Sequence, residues 1–356
     1  MEVDKKIILV TGGLGYIGSH TVVELLSEEY LNAVDVKESY EILIVDDCSN
    51  ASENILERLE KITNRKITFY RLDILDTLGL EKVFLLHNLH AVIHFAGLKS
   101  VEESTRNPLK YYKTNVIGSI GLIELCLKHN VNNFIFSSSS CVYGNRDDSA
   151  TEEETNLQPI NTYGKTKLYV ENILKDVSKT NKNFKSVLLR YCNPVAAHKS
   201  GLIGENPKGA PANLFPIIEG VVRGKREKLF IFGNDYNTRD GTAIRDYVHV
   251  SDVARGHVLA LQCFESYKNH LLKDNTVIYN MGTNTGYSVY EVVKTYMEAT
   301  DVNIKYEFTS RRAGDAEKSC PNCDKMRNEL GWKPFTTLKE MCADSYNFIK
   351  INPDGI

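Results

Sequence analysis

The chain has 356 residues, 42% of them apolar and 25% charged, with a formal net charge of −3. That length supports one large domain or two smaller ones with a generous core. The balanced charge offers no basic field for nucleic acid, and no apolar run is long enough to cross a bilayer.

The first apolar run, residues 7–10, reads as a buried strand. It enters the loop Thr11-Gly12-Gly13-Leu14-Gly15-Tyr16-Ile17-Gly18, which opens a helix over 16–26. Glycines in that order allow a tight turn, a close approach of backbone to a pyrophosphate, and close helix–strand packing. The helix N-terminus adds free N–H groups and a positive dipole end. Further strands are expected at 42–45, 67–70, 91–95, 133–137 and 186–190, with helices at 52–62, 76–86, 112–129 and 163–177. Short apolar strands alternating with helices define an α/β fold, a doubly wound parallel sheet of the dinucleotide-binding (Rossmann) type. Residues 1–192 are read as the cofactor-binding domain. From Asn193 onward the texture changes. Gly and Pro cluster through 201–216, and residues 193–356 are expected to form a smaller α/β substrate-binding region, part of which returns to the sheet. The chain carries no internal repeats.

The second strand ends at Asp46, followed by Asp47. A carboxylate there accepts from the adenosine ribose hydroxyls and repels a 2′-phosphate, so NAD is favoured over NADP. The gap from the glycines exceeds the usual spacing because of a polar insertion around 27–41. Asp73 follows the third strand and could meet the adenine edge. Phe95-Ala96-Gly97-Leu98-Lys99 is a small-residue turn suited to close passage of a cofactor.

Tyr163 and Lys167 are four apart on one helical face. Tyr290 with Lys294 and Tyr346 with Lys350 share that spacing, but neither pair lies in the nucleotide-binding half. Upstream of the first pair, a strand ends in Ser137-Ser138-Ser139-Ser140. A strand-end hydroxyl beside a phenol and an ammonium is suited to moving a proton on or off an alcohol. A phenol acting near pH 7 must lose about 3 pKa units, or about 4 kcal/mol. One ammonium at roughly 4 Å, at an effective dielectric near 20, supplies about that amount. At least one of the serines is expected to be only a polar strand end.

Eight scattered cysteines, including Cys126 and Cys263 inside apolar segments, suit reduced thiols in a cytoplasmic protein. The charged start, Met1 to Lys6, does not read as a signal peptide. Cys320 and Cys323 form one CxxC with no second pair and no His at ligand spacing, so no metal is expected there, and they read as incidental cysteines of a surface loop. His87, His90 and His94 read as structural or surface residues. His94 is placed on the fourth strand, and the other two in the connection before it.

Together these segments resemble the extended short-chain dehydrogenase/reductase superfamily, and within it the UDP-hexose 4-epimerase family. The likeness runs from Val10 to Trp332. It is most specific in Leu189-Arg190-Tyr191-Cys192-Asn193-Pro194-Val195, Asn213-Leu214-Phe215-Pro216, Ile231-Phe232-Gly233-Asn234, Asp240-Gly241-Thr242, Arg245-Asp246-Tyr247-Val248-His249 and Arg311-Arg312-Ala313-Gly314-Asp315. The resemblance implies an isomerase of galactose metabolism that interconverts UDP-galactose and UDP-glucose through a transient 4-keto sugar, with NAD held throughout. It implies Tyr163, Ser139 and Lys167 as catalytic residues. Tyr163 takes the 4-hydroxyl proton, Ser139 bonds that oxygen, and Lys167 depresses the phenol pKa and reaches the nicotinamide ribose. Carbon 4 gives its hydride to the nicotinamide, the keto sugar turns over, and hydride returns to its opposite face.

For the cofactor the resemblance implies Gly12, Gly15, Tyr16, Ile17, Gly18, Asp46, Asp47, Cys48, Ser49, Asn50, Asp73, Ile74, Phe95, Ala96, Gly97, Lys99, Asn115, Ser139, Tyr163, Lys167 and Cys192. For the substrate it implies Lys99, Ser139, Tyr163, Asn193, Asn213, Leu214, Phe230, Ile231, Phe232, Arg245, Arg312, Asp315 and Ser319. The two arginines suit a diphosphate, which guanidinium pairs bidentately. A homodimer through helices 112–129 and 163–177 is also implied. Cys192 stands where the family often has Phe, which implies looser packing beside the nicotinamide. Ser319 occupies a sugar-pocket position that varies between aromatic and small residues. A small residue leaves room for an N-acetyl group, so UDP-N-acetylglucosamine and its galactosamine epimer become expected substrates. Two alternatives stand beside this reading. One is another nucleotide-sugar epimerase or decarboxylase, or a dehydratase, which would need carboxylates where Ser140 and Cys141 stand. The other is a silent nucleotide-sugar-binding protein.

Overall fold

The computed structural model describes residues 5–36, 38–144, 150–209, 211–265, 268–312 and 315–356. Met1 to Asp4 of the charged start, and Ala313 and Gly314 of the arginine motif, lie outside the described residues. The strands are β1 (Lys6–Thr11), β2 (Tyr40–Asp46), β3 (Thr68–Arg71), β4 (Leu89–His94), β5 (Asn133–Ser139), β6 (Lys185–Tyr191), β7 (Asn193–Val195), β8 (Leu229–Phe232), β9 (Ile244–His249), β10 (Thr276–Met281), β11 (Gly286–Ser288), β12 (Tyr306–Thr309) and β13 (Lys318–Ser319). The α-helices are α1 (Tyr16–Leu26), α2 (Glu28–Ala33), α3 (Asn54–Thr63), α4 (Thr77–Leu86), α5 (Val101–Arg106), α6 (Pro108–Tyr111), α7 (Gly118–Lys128), α8 (Thr162–Thr180), α9 (Leu214–Val222), α10 (Val250–Leu261), α11 (Val289–Thr300), α12 (Asp324–Leu330) and α13 (Leu338–Ile351).

Seven strands form one parallel sheet in the order β10-β6-β5-β4-β1-β2-β3. The strands are apolar on both faces because both faces are covered. Ile8, Val10, Ile42, Ile44 and Ile93 point into one layer, with Val22 and Leu25 of α1 and Val253 and Val258 of α10. Leu9, Leu43, Val45, Val92, Phe134 and Phe136 point into the other, with Leu122, Cys126, Val170 and Leu174 of α7 and α8. The sheet reverses its order at β1, which pairs with β2 on one side and β4 on the other. Ligands of such sheets bind beyond the carboxyl ends of the strands at that switch point. The last strand of the sheet, β10, comes from beyond residue 193, and α10 packs against α1. A third core, with Phe215, Ile218, Ile231, Tyr247, Val292, Tyr296 and Met341, lies under β8, β9, α9, α11 and α13.

Three local features depart from the sequence reading. The polar insertion contains a short helix, α2, whose first turn is capped by Ser27 accepting from Tyr30 N. The helix expected over 112–129 begins as a π-helical stretch, Tyr112–Ile117, before becoming α7. The strand expected at 91–95 starts at Leu89, so His90 belongs to β4 rather than to the connection before it. His94 bonds Thr11 and Ser119, and His87 bonds the Tyr70 hydroxyl.

Candidate active site

The glycine loop sits at the switch point. Gly12 has φ +71°, and a Cβ there would lie 2.6 Å from Ala96 N. At Gly18 a Cβ would lie 2.3 Å from Gly12 O. The loop is therefore compressed against the Phe95–Gly97 turn on one side and its own helix on the other, as a pyrophosphate cradle requires. Gly15 caps α1 without a side-chain bond, so the amides of the first turn face outward. At the end of β2, Asp46 is buried. Its Oδ2 accepts from Leu14 N at 3.1 Å and its Oδ1 from Cys48 N at 2.9 Å. Asp47, Ser49 and Asn50 are exposed beside it, and Cys48 is buried with its carbonyl bonded by Lys208. Asp73 is exposed, while Ile74 packs beneath α7 at Gly118.

Asn115 lies in the π-helical stretch, a feature frequent at functional sites. Its side-chain amide donates to Leu98 O at 2.9 Å and its Oδ1 accepts from Leu98 N at 2.8 Å. Lys99, at the end of the same turn, pairs with Glu205, and its ammonium lies 5.7 Å from the centroid of the Tyr16 ring. Glu205 also accepts from Asn213 at 2.9 Å.

Ser139, Tyr163 and Lys167 come together. Ser139 ends β5, and α8 starts at Thr162 under the cap of Asn161, whose side chain accepts from Gly164 N. The Ser139 hydroxyl, which accepts from Cys141 N at 3.2 Å, is near enough to the Tyr163 phenol to draw its pKa down. Lys167 is buried, donates to Ser137 O at 2.6 Å, and lies 5.8 Å from the Tyr163 ring centroid. Burial pushes the Lys167 ammonium down to about 8, with Glu171 pulling it back up. The expected acidification of the phenol is not what these groups produce. Burial drives Tyr163 upward, the Cys141 thiol adds to that, and the Ser139 hydroxyl opposes it only in part. Among the serines, Ser138 is structural: it donates to Glu171, which pairs with Arg190 in the core. The other Tyr–Lys pairs lie on α11 and α13, away from this cluster.

On the substrate side, Arg245 of β9 pairs with Asp315 at 2.6 Å, and Arg312 lies 3.6 Å from the same carboxylate. Arg312 also covers the ring of Phe232 at 4.9 Å. Ser319 of β13 sits opposite Arg245 in the β9 register. Phe230 and Phe232 are exposed, but the Ile231 side chain belongs to the core, so only its backbone could face a ligand. Asn193 and Asn213 are exposed, and Leu214 opens α9. Cys192 is buried with its sulfur 4.0 Å from that of Cys323, where looser packing was expected. Cys320 and Cys323 are both buried, which corrects their reading as a surface loop. Glu205, Thr166 and Glu171 were missed in the sequence. Their partners Lys99, Asn115 and Arg190 lie far off along the chain, and no local pattern marks them.

The fold, the glycine cradle and the Ser–Tyr–Lys cluster define a nucleotide-dependent enzyme of the extended short-chain dehydrogenase/reductase superfamily. A family model described as GDP-mannose 4,6 dehydratase matches residues 9–345. The chain is 45% identical over 348 residues to a UDP-glucose 4-epimerase of Dictyostelium discoideum, covering 98% of this chain and 97% of that protein. A UDP-glucose 4-epimerase of Bacillus subtilis (strain 168) is 46% identical, with 98% of each chain covered. Among solved structures, the UDP-glucose 4-epimerase from Bifidobacterium longum in complex with NAD+ and UDP superposes with a TM-score of 0.89 at 42% identity, covering 99% of this chain and 100% of that one. This chain belongs to the UDP-glucose 4-epimerase family.

Proposed function

We propose that this chain is an NAD-dependent 4-epimerase that interconverts UDP-galactose and UDP-glucose. The observation that carries the reading is the convergence of Ser139, Tyr163 and Lys167 beside the glycine cradle at the switch point. The groups present suit NAD. The open amides of α1 would hold its pyrophosphate, and Asp46, buried with one N–H bond on each oxygen, keeps lone pairs for ribose hydroxyls. Held there, NAD would supply the hydride acceptor and donor for carbon 4 and, when oxidised, a positive charge that favours the ionised phenol.

Tyr163 removes the proton of the 4-hydroxyl and later returns it. Ser139, beside the phenol, orients that oxygen. Lys167 is anchored by the Ser137 carbonyl, which aims its charge at the phenol and the ribose. Arg245 and Arg312 hold the diphosphate, with Asp315 fixing both guanidinium groups. Asn193, Asn213, Leu214, Phe230, Phe232 and the Ile231 backbone receive the uridine and phosphate, and Lys99 is held at the sugar end by Glu205. The small Ser319 extends the substrate range to the N-acetylated pair. Ser140 and Cys141 follow Ser139 where a dehydratase needs carboxylates, so the epimerase reading is favoured although the matched family model is described as a dehydratase.

The same reading divides the chain into a cofactor unit, 1–192, and a UDP-sugar unit, 193–356, that lends β10 to the sheet. It makes the protein a homodimer joined through the helical segments 112–129 and 163–177, which expose the apolar side chains of Ile117 and Tyr169. It also places the protein in the cytoplasm, in keeping with thiols that form no disulfide among the described residues. Among the described residues no helix is long and apolar enough to cross a membrane.

The test is conversion of UDP-galactose to UDP-glucose by protein purified without added cofactor, with its ultraviolet spectrum recorded first. Tyr163→Phe is expected to reduce turnover by at least about 100-fold. A variant as fast as wild type would remove the assigned base.

A further inference from the structure

We propose that Cys192, Asp246 and Cys323 form a binding site for a thiophilic divalent cation, with zinc the best match. One ligand atom from each lies within 4.8 Å of the other two, and all three residues are buried. The two sulfurs are 4.0 Å apart. Two thiolates on one tetrahedral zinc, each about 2.3 Å from the metal, stand about 3.8 Å apart. Two sulfurs and one carboxylate select a zinc-like ion over magnesium or calcium. Three protein ligands also leave a fourth position for water.

The groups that would orient these ligands are already in place. Asp246 Oδ1 accepts from the Thr283 amide at 2.8 Å and from its hydroxyl at 2.7 Å. Asp246 Oδ2 accepts from Asn284 N at 2.9 Å, which leaves a lone pair on that oxygen. The Asn284 side chain in turn accepts from Cys323 N at 2.8 Å. One turn therefore fixes two of the three ligands, as the outer shell of a metal site does. At Gly282, the residue before this turn, a Cβ would lie 2.5 Å from Cys192 Sγ and 2.6 Å from Asp246 Oδ2, so the backbone closes over both atoms. Cys192 directly follows β6 and precedes the exposed Asn193. A cation here would tie the end of the parallel sheet to the start of α12.

The experiment uses the full-length protein with the cofactor it retains, reduced and stripped of metal by a chelator. Zinc is titrated against a chromophoric chelator, and cobalt(II) reports thiolate ligation by its charge-transfer absorption. The expected result is one zinc per chain, a cobalt–thiolate band, and a Tm that rises with zinc. Asn284→Ala is expected to weaken zinc by about 10- to 100-fold, and Cys323→Ser by no less. Retained turnover by Cys323→Ser would show that this variant is folded. Absence of zinc uptake by the reduced wild type, or uptake unchanged by Cys323→Ser, overturns the proposal. So does recovery of Cys192 and Cys323 as a disulfide with no cobalt band, which would give the pair to redox chemistry.

Discussion

Asn115 donates its side-chain amide to Thr166 Oγ1 at 3.1 Å, and the same amide donates to the Leu98 carbonyl at 2.9 Å. One side chain therefore ties the turn after β4 to the helix that carries Tyr163 and Lys167. Its place in a π-helical stretch is what brings it there, because the wider turn shifts the side chain off the regular α register. Asn115→Leu keeps similar bulk but loses all three bonds. It is expected to lower retained NAD and to cut kcat by about tenfold or more, since misplacement by an ångström can cost about 100-fold. Cofactor content per chain and steady-state kinetics check this. Full NAD content with wild-type kcat would show that the bonds position nothing.

Glu171 and Arg190 form a fully buried ion pair, bidentate at 2.8 and 2.6 Å, joined by Ser138 and by Tyr143. Removing one partner leaves a buried charge alone. Glu171→Ala is therefore expected to cost about 3 to 5 kcal/mol, read from the denaturant midpoint. It carries a second consequence. Glu171 holds the Lys167 pKa up against burial, so its loss leaves Lys167 below about 8 and more of it neutral between pH 7 and 8. Turnover of the folded variant should then fall more steeply on the alkaline side than that of wild type.

Glu219 is buried beneath Ser345, whose hydroxyl donates to it at 2.8 Å, and burial raises its carboxyl from 4.5 to about 8. Between those values the unfolded chain has released this proton and the folded chain still holds it. This group's contribution to stability therefore falls as pH rises from 4.5, and its cost is complete above about 8. At pH 7 the cost is about 3 kcal/mol. Glu219→Gln keeps the acceptor for Ser345 and removes the titration. Its Tm should exceed wild type at pH 7 and match it near pH 4. Equal melting at both values would place the carboxyl in its ordinary range.

Local order was readable, and long-range order much less so. The start of α1 at Tyr16 and its end at Leu26 coincide with the apolar periodicity and the glycine loop, both set by neighbours in sequence. The parallel sheet followed from strands too uniformly apolar to have a wet face. The helix α2 carried a signal that was overlooked, Ser27 followed by two glutamates in the first turn. The π-helical stretch had none, because an extra residue in a helix is held by packing rather than by propensity. The same limit applies to the site. Ser139, Tyr163 and Lys167 stand out by residue type at a strand end and a helix start. The pairing of Lys99 with Glu205, 106 residues on, and of Arg245 with Asp315, 70 residues on, appears only when the chain is folded. Burial, which raises the Tyr163 phenol and lowers Lys167, is a contribution that no sequence pattern displays and that the charges of Lys167 and an oxidised nicotinamide must offset.

Ser319 is half-buried on β13, opposite Arg245 in the register of β9, so its side chain borders the arginine assigned to the diphosphate. An added aromatic ring there would occupy the space the proposed function leaves for an N-acetyl group. Ser319→Tyr is expected to spare turnover of UDP-galactose within a few-fold and to lower kcat/KM for UDP-N-acetylglucosamine by about 100-fold, since a steric clash costs far more than a missing methylene. Both sugars are assayed on one preparation, so a general loss of activity is separated from a change in selectivity. Equal kcat/KM for the N-acetylated substrate before and after the substitution would remove Ser319 from the sugar pocket. Loss of both activities together would assign the residue to diphosphate placement through Arg245 instead.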